Sequence, residues 1–351
     1  MKRNLLPALT ALLLLPLAAL RAGDPGPQLK VPLSGLVAMG DIGFHRVDGG
    51  LAQPNVDDLN RVPGIFGGMV VNVTWAQLEA QRGVLDTKII DDVLAKIRLY
   101  NQANAQHPLG VRLRVWPGPN APIWAKNLGG APVTVLHKDM PITVGRFWSE
   151  PYRTAWRDLQ NRLAARYDPE PLIREVANTS GSSITDEVCL LAGDKESVKN
   201  MRAAGFTDAQ FQACLWESPD DYAGWPSTRV ECVCNPYRAI DSGKTRADSE
   251  FTLKLMRHWR QTLGARGVLS NHALNQPADH ADIYDEMRRL GPPTAFQTHA
   301  PGGLNWDGAL RLGRSYGAQS IELWSGTKFG GFEKQDPQRL REWAALFQPT
   351  Q

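Results

Sequence analysis

The chain has no excess of charge of either sign: 39 Lys and Arg face 36 Asp and Glu, a formal net charge of +3. Its basic residues are interspersed with acidic ones instead of massed, which argues against a nucleic-acid footprint and favours a small, neutral or weakly charged ligand. No Ser- or Gly-rich linker divides it, so one domain is the simplest organisation. Close CxxC pairs with His partners are absent, and so is the His-x-His pair of metal-dependent barrel hydrolases, which leaves a zinc site and a metal cofactor without support. Long apolar runs are scarce as well. Only residues 5–20 form one, and it is shorter than the roughly 20 residues that span a bilayer.

That run follows Lys2 and Arg3 and is followed by Arg21, Ala22, Gly23 and a Pro-rich stretch. The order of charge, apolar core and small residues is that of a secretory signal, and the expectation is a signal peptide over residues 1–22, with an uncleaved anchor as the alternative. Residues 23–351 then form the mature protein, exported to a periplasmic or extracellular space, with no membrane contact after cleavage. Cysteine is sparse too. All four, Cys189, Cys214, Cys232 and Cys234, lie in one short part of the chain. An oxidising destination predicts one or two disulfides there. Cys232 and Cys234 project from one face of a strand, so each is expected to pair with Cys189 or Cys214.

What the sequence does have is order. Short runs rich in Val, Ile and Leu alternate with longer segments of helical period, the pattern of parallel strands joined by crossover helices. Strands are predicted at residues 36–42, 68–73, 111–116, 173–178, 230–233, 268–270, 295–297 and 320–323. Helices are predicted at 89–97, 152–167, 195–204, 208–215, 248–263, 283–290, 309–316 and 336–347. Eight strands, nearly all of them followed by helices, are the count of a closed (β/α)8 TIM barrel, and about 330 residues suit one such barrel with long loops.

Barrel sites gather at strand C-terminal ends. Those ends carry Asp41 and His45, Asn72 and Trp75, Arg114 and Trp116, Asn178 and then Glu187, Asn235, Asn271 and His272, Gln297 and His299, and Glu322 and Trp324. Carboxylates, amides, imidazoles and indoles together suit a sugar, whose hydroxyls need polar partners and whose C–H faces stack on aromatics. Glycoside cleavage needs two carboxylates, about 5 Å apart for retention and about 6.5 to 9.5 Å for inversion. Glu187 and Glu322 face each other across the ring, Glu187 as general acid and Glu322 as nucleophile or base. Trp75, Arg114, Trp116, Asn178, His272, His299 and Trp324 are the candidate substrate-binding residues. Each has a structural alternative: an Arg-paired lining carboxylate for Glu322, a solvated loop residue for Glu187, a hydrophobic plug for Trp75 and Trp324, and a metal ligand for His272 and His299. A barrel that binds glycans without cleaving them is the alternative for the whole site.

The segment Trp75-Ala-Gln-Leu78-Glu79 with Gly83, Leu85 and Asp86 resembles the stretch after the second strand of clan A glycoside hydrolases, especially family 42 β-galactosidase-like proteins. Arg114-Val-Trp-Pro-Gly118 with Pro122-Ile-Trp124 is similar to their third strand and loop. Phe147, Trp148, Pro151 and Tyr152, then Leu163, Ala164, Arg166 and Tyr167, resemble the helix before their fourth strand. The resemblance implies a sugar-cleaving barrel without cofactor, in which Glu79 is structural. It also implies an Asn-Glu pair ending strand four and a nucleophilic Glu on strand seven. This chain departs at both, with eight residues between Asn178 and Glu187, and Gln297, Thr298 and His299 at strand seven.

Overall fold

The structure, a computed structural model, describes residues 28–40, 56–240, 246–299, 302–325 and 330–348. The expected signal and the candidates Asp41 and His45 lie outside the described residues. No described helix is long and apolar enough to cross a membrane.

All eight expected strands form, in chain order β1 Gly35–Met39, β2 Phe66–Thr74, β3 Gly110–Trp116, β4 Ile173–Ala177, β5 Arg229–Val233, β6 Gly267–Leu274, β7 Thr294–Thr298 and β8 Ser320–Trp324. Each pairs in parallel with its neighbours, and β8 returns to β1 with Val37 opposite Glu322, which closes a (β/α)8 barrel. Two hairpins, Val133–His137 with Met140–Val144 and Tyr237–Ala239 with Arg246–Asp248, are additions to the barrel that the strand count does not need.

Strand periodicity decides which residues face where. On β3, Val111, Leu113 and Val115 pack outward into the large core shared with the helices, so Arg112, Arg114 and Trp116 must point into the lumen. The same alternation turns Glu175, Glu231 and Glu322 inward on β4, β5 and β8, while their neighbours Val176, Cys232 and Leu323 pack outward. A smaller apolar cluster of Leu33, Val37, Met39, Val70 and Trp116 lies apart from that outer core, and Trp324 packs against it. Beneath the barrel, Leu33 donates its backbone N–H to Glu175 at 2.8 Å, and the Lys30 ammonium donates to the Glu170 and Ile173 carbonyls. These contacts tie the segment entering β1 to the start of β4.

The helices follow their sequence signals. Lys88–Ala103 buries Ile90, Leu94 and Ile97, and Glu150–Tyr167 buries Trp156, Leu159 and Leu163, residues 3 or 4 apart on one face. Lys195–Ala203, Asp208–Glu217 and Ser249–Leu263 each start at an Asp or Thr whose side chain accepts a backbone N–H of the first turn.

The expected disulfides do not form. All four cysteines are free and buried. Cys232 on β5 and Cys234 just beyond its end pack in the outer core, and Cys189 and Cys214 lie in the same core, where a thiol packs as a small hydrophobe. Burial pushes the Cys189 and Cys232 thiols up to about 12, far from a reactive thiolate. Titration with a thiol reagent is therefore expected to find no accessible thiol in the folded chain and four after denaturation without reductant; fewer than four would restore a disulfide.

Candidate active site

Two guanidinium groups organise the barrel lumen. Arg112 Nε and Nη2 lie 2.9 and 2.5 Å from Glu175 Oε2, and its Nη1 is 2.7 Å from Glu231 Oε1 and also pairs with Glu322. Arg114 Nη2 reaches Glu231 at 3.1 Å and Glu322 at 2.7 Å. All five side chains are within 1 % of complete burial. Burial alone would raise Glu231, but Arg112 and Arg114, with His272, hold it well below the usual carboxylate range. The donor atoms of Glu231, His272 and Glu322 lie within 4.8 Å of one another. Arg112 and Arg114 each bridge Glu231 and Glu322, so guanidinium groups stand where a cation would, and the cluster is an ion-pair network.

Above this network the residues change character. Asp186 Oδ2 stands 3.2 Å from Arg114 Nε, so Asp186 and Glu322 touch the same guanidinium. Glu187 is less buried, with 16 % of its side chain exposed. Burial pushes its carboxyl up to about 7, with Asp186 adding to the rise and His272, a hydrogen bond with Asn235 and Arg114 opposing it. Three buried polar atoms here have no hydrogen-bond partner among the described residues: His272 Nδ1, Gln297 Oε1 and Glu322 Oε2. Donors and acceptors left open together suit a ligand that carries hydroxyl groups.

The candidate residues divide on this geometry. Arg114, Glu187, His272 and Glu322 come together, with Glu322 completely buried beneath the others. Trp324 closes β8 half-buried, its indole N–H on the Thr298 carbonyl at 2.8 Å. His299 is exposed and follows β7, its backbone N–H on the Leu274 carbonyl.

Three candidates stand elsewhere. Asn178 faces outward from β4 and donates to Ser218 at 2.8 Å, because an odd number of positions separates it from the inward Glu175. Trp116 is buried in the lumen and donates its indole N–H to Asn72 at 2.9 Å. Trp75 is fully buried in the outer core, edge-on to Trp124, Tyr152 and Trp156, because it starts the helix Trp75–Leu78 beyond the end of β2. Its indole donates to Glu79 at 3.0 Å, and Glu79 also receives the Gly83 N–H and Arg162. The segment that carries the family resemblance is thus a packing unit. Trp75→Phe is expected to cost about 1–2 kcal/mol through the unpaired Glu79 oxygen and to leave ligand affinity unchanged. Chemical denaturation and calorimetric titration check both halves.

Arg112, Glu175, Glu231 and Asp186 are functional neighbours that strand-end reasoning did not select. Their signal is a charged residue in the middle of an apolar strand run, as in Val-Arg112-Leu-Arg114-Val and Val-Glu231-Cys. In a closed barrel such a residue faces either the helices or the lumen.

No family model matches the chain, and no curated protein does either. Solved structures match its fold. Endo-glycoceramidase II from Rhodococcus sp. is 16% identical with a TM-score of 0.53 over 86% of this chain and 76% of that one. The catalytic domain of a β-amylase from Paenibacillus polymyxa is 9% identical, TM-score 0.53, over 90% of this chain and 99% of that one. A GH5_18 protein from Bifidobacterium longum subsp. longum is 15% identical, TM-score 0.50, over 90% and 79%. At these identities the likeness is one of fold, that of glycosidase barrels. The expected kinship with family 42 finds no support: the named family among these neighbours is GH5, and the resembling residues around Trp75 build core.

Proposed function

We propose that the chain is an exported glycoside hydrolase in which Glu187 is the proton donor and Glu322 the nucleophile or base. The observation that carries this reading is Glu187 itself, a partly exposed carboxyl beside the strand ends whose pKa is pushed up to about 7. At neutral pH it keeps a proton to give to a leaving glycosidic oxygen. Glu322 answers the complementary need. It is paired with Arg112 and Arg114, and its Oε2 lacks a hydrogen-bond partner among the described residues. Trp324 supplies an apolar platform and the open polar atoms supply hydroxyl contacts. The fold neighbours, glycosidases at low identity, agree with this reading.

The complete burial of Glu322 favours a second reading, a barrel that binds glycans without cleaving them. A screen of the chain lacking residues 1–22 against aryl glycosides and polysaccharides separates the two. Turnover that falls as pH rises through about 7 and is lost in Glu187→Gln supports hydrolysis. Calorimetric binding without turnover, lost in Trp324→Ala, selects the second reading.

A further inference from the structure

His272 occupies an inward position on β6 at a break in the register. Asn271 pairs with Phe296 and Leu274 with Thr298, so His272 and Ala273 together stand opposite Gln297. Such a bulge re-aims side chains next to a site. The imidazole it places in the lumen spans two levels of the barrel. Nε2 is 3.3 Å from Glu231 Oε1, in the buried network. Nδ1 lies 3.5 Å from Asp186 Oδ2 and 3.9 Å from Glu187 Oε1, and it has no hydrogen-bond partner among the described residues. Asn235 joins the same group, since its Oδ1 accepts from Asn271 Nδ2 at 2.8 Å and from the His272 N–H at 3.3 Å, and its side chain also hydrogen-bonds Glu187.

We propose that His272 is a positioning residue for the acid: it holds one proton in common with Glu187, so that the pair, and not Glu187 alone, sets the pH at which the site can donate. The inference rests on the reading of Glu187 as proton donor. The charged groups that face the ring are Glu231 on β5, Asp186 and Glu187 on the segment after β4, Arg114 on β3 and Glu322 on β8. Glu231 remains ionised, so Nε2 keeps its hydrogen and the variable proton sits either on Nδ1 or on the Glu187 carboxyl. With the proton on Nδ1, the imidazolium favours ionised Glu187. With it on Glu187, the ring is neutral and the acid is armed. Burial opposes the imidazolium, but the hydrogen bond to Glu231 and the charge of Asp186 raise His272 above its ordinary value. Glu187 is raised toward the same range by burial, against the pull of His272. Two groups titrating together at this separation behave as one unit with two macroscopic steps.

The test is a carbon-13 NMR titration of the Glu187 carboxyl in the intact, unliganded chain, in wild type, His272→Asn and His272→Gln. The Glu187 midpoint is expected to rise by about one pH unit in both variants, because a neighbouring positive charge is gone. A midpoint unmoved in either folded variant overturns the proposal. Wild type provides a reading that needs no variant: the Glu187 curve should show a second inflection at the His272 midpoint, and a single-step curve overturns the proposal as well. Since no substrate is present, absence of turnover would count against the hydrolase reading without touching this result. Where turnover exists, its alkaline limb should move upward with the carboxyl, a shift that a merely structural histidine would not produce.

Discussion

If the chain is the hydrolase proposed, Glu187→Gln is expected to lose hydrolysis by about 10²- to 10⁴-fold, the usual contribution of a positioned acid, and to keep the fold. Electrostatics separates lost chemistry from lost structure here. The wild-type carboxyl is raised in the folded chain from its ordinary value near 4.5 to about 7. A group raised on folding contributes its stability below the unfolded value, and that contribution is lost as pH rises through the folded value. Above pH 7 the folded protein therefore carries an ionised Glu187 that its surroundings disfavour, and an amide removes that penalty. The variant should be at least as stable as wild type at pH 8 while inactive. Urea unfolding at pH 5 and pH 8 beside the rate measurement reads both; an inactive variant that is also less stable at pH 8 would assign Glu187 to the scaffold.

Arg112→Met is expected to cost the largest stability of any single change in the lumen, about 3–5 kcal/mol, the penalty for breaking a buried charge network by removing one partner. Arg112 touches Glu175, Glu231 and Glu322, all buried; methionine leaves Glu231 and Glu322 to Arg114 and takes from Glu175 the guanidinium that pairs with it. In wild type the Glu231 pKa is held well below the ordinary range, so its contribution is present above that range and is lost as pH falls through the folded value. Without Arg112 the sign reverses for carboxylates left unpaired. They become raised groups that lower stability as pH rises. The gap between wild type and variant should accordingly be wide at pH 7 and narrower at pH 4 in urea unfolding. An equal gap at both values would mean that packing, not charge, is what Arg112 supplies.

The two predictions concern different levels of one barrel. The lower level is a buried ion-pair network of two guanidinium groups and three carboxylates, with Glu322 inside it. The upper level, from Asp186 to Glu187 and His272, is where a proton can come and go. His272 touches both, which is why a histidine there matters more than its burial suggests.

Much of this architecture was legible in the sequence. The eight strands were readable because each is a short apolar run between turn residues, and the helices because their apolar residues recur at 3 and 4 spacing, both local patterns. Glu187 and His272 were readable as strand-end polar residues. The disulfides were misread because a buried thiol and a bridged one look alike in a sequence, and only the packing around Cys232 and Cys234 separates them. Trp75 has two readings in the sequence, a stacking platform or a hydrophobic plug, and only its burial in the outer core selects the packing role. What the sequence by itself determined is the barrel, since strand and helix periods are local. What only the tertiary structure decided is the site, since its contacts join residues far apart in the chain. Arg112 and Glu322 are separated by 210 residues and meet only when β8 closes on β1. Closure makes the interior scarce in water, and there a charge must find its partner across the ring instead of along the strand.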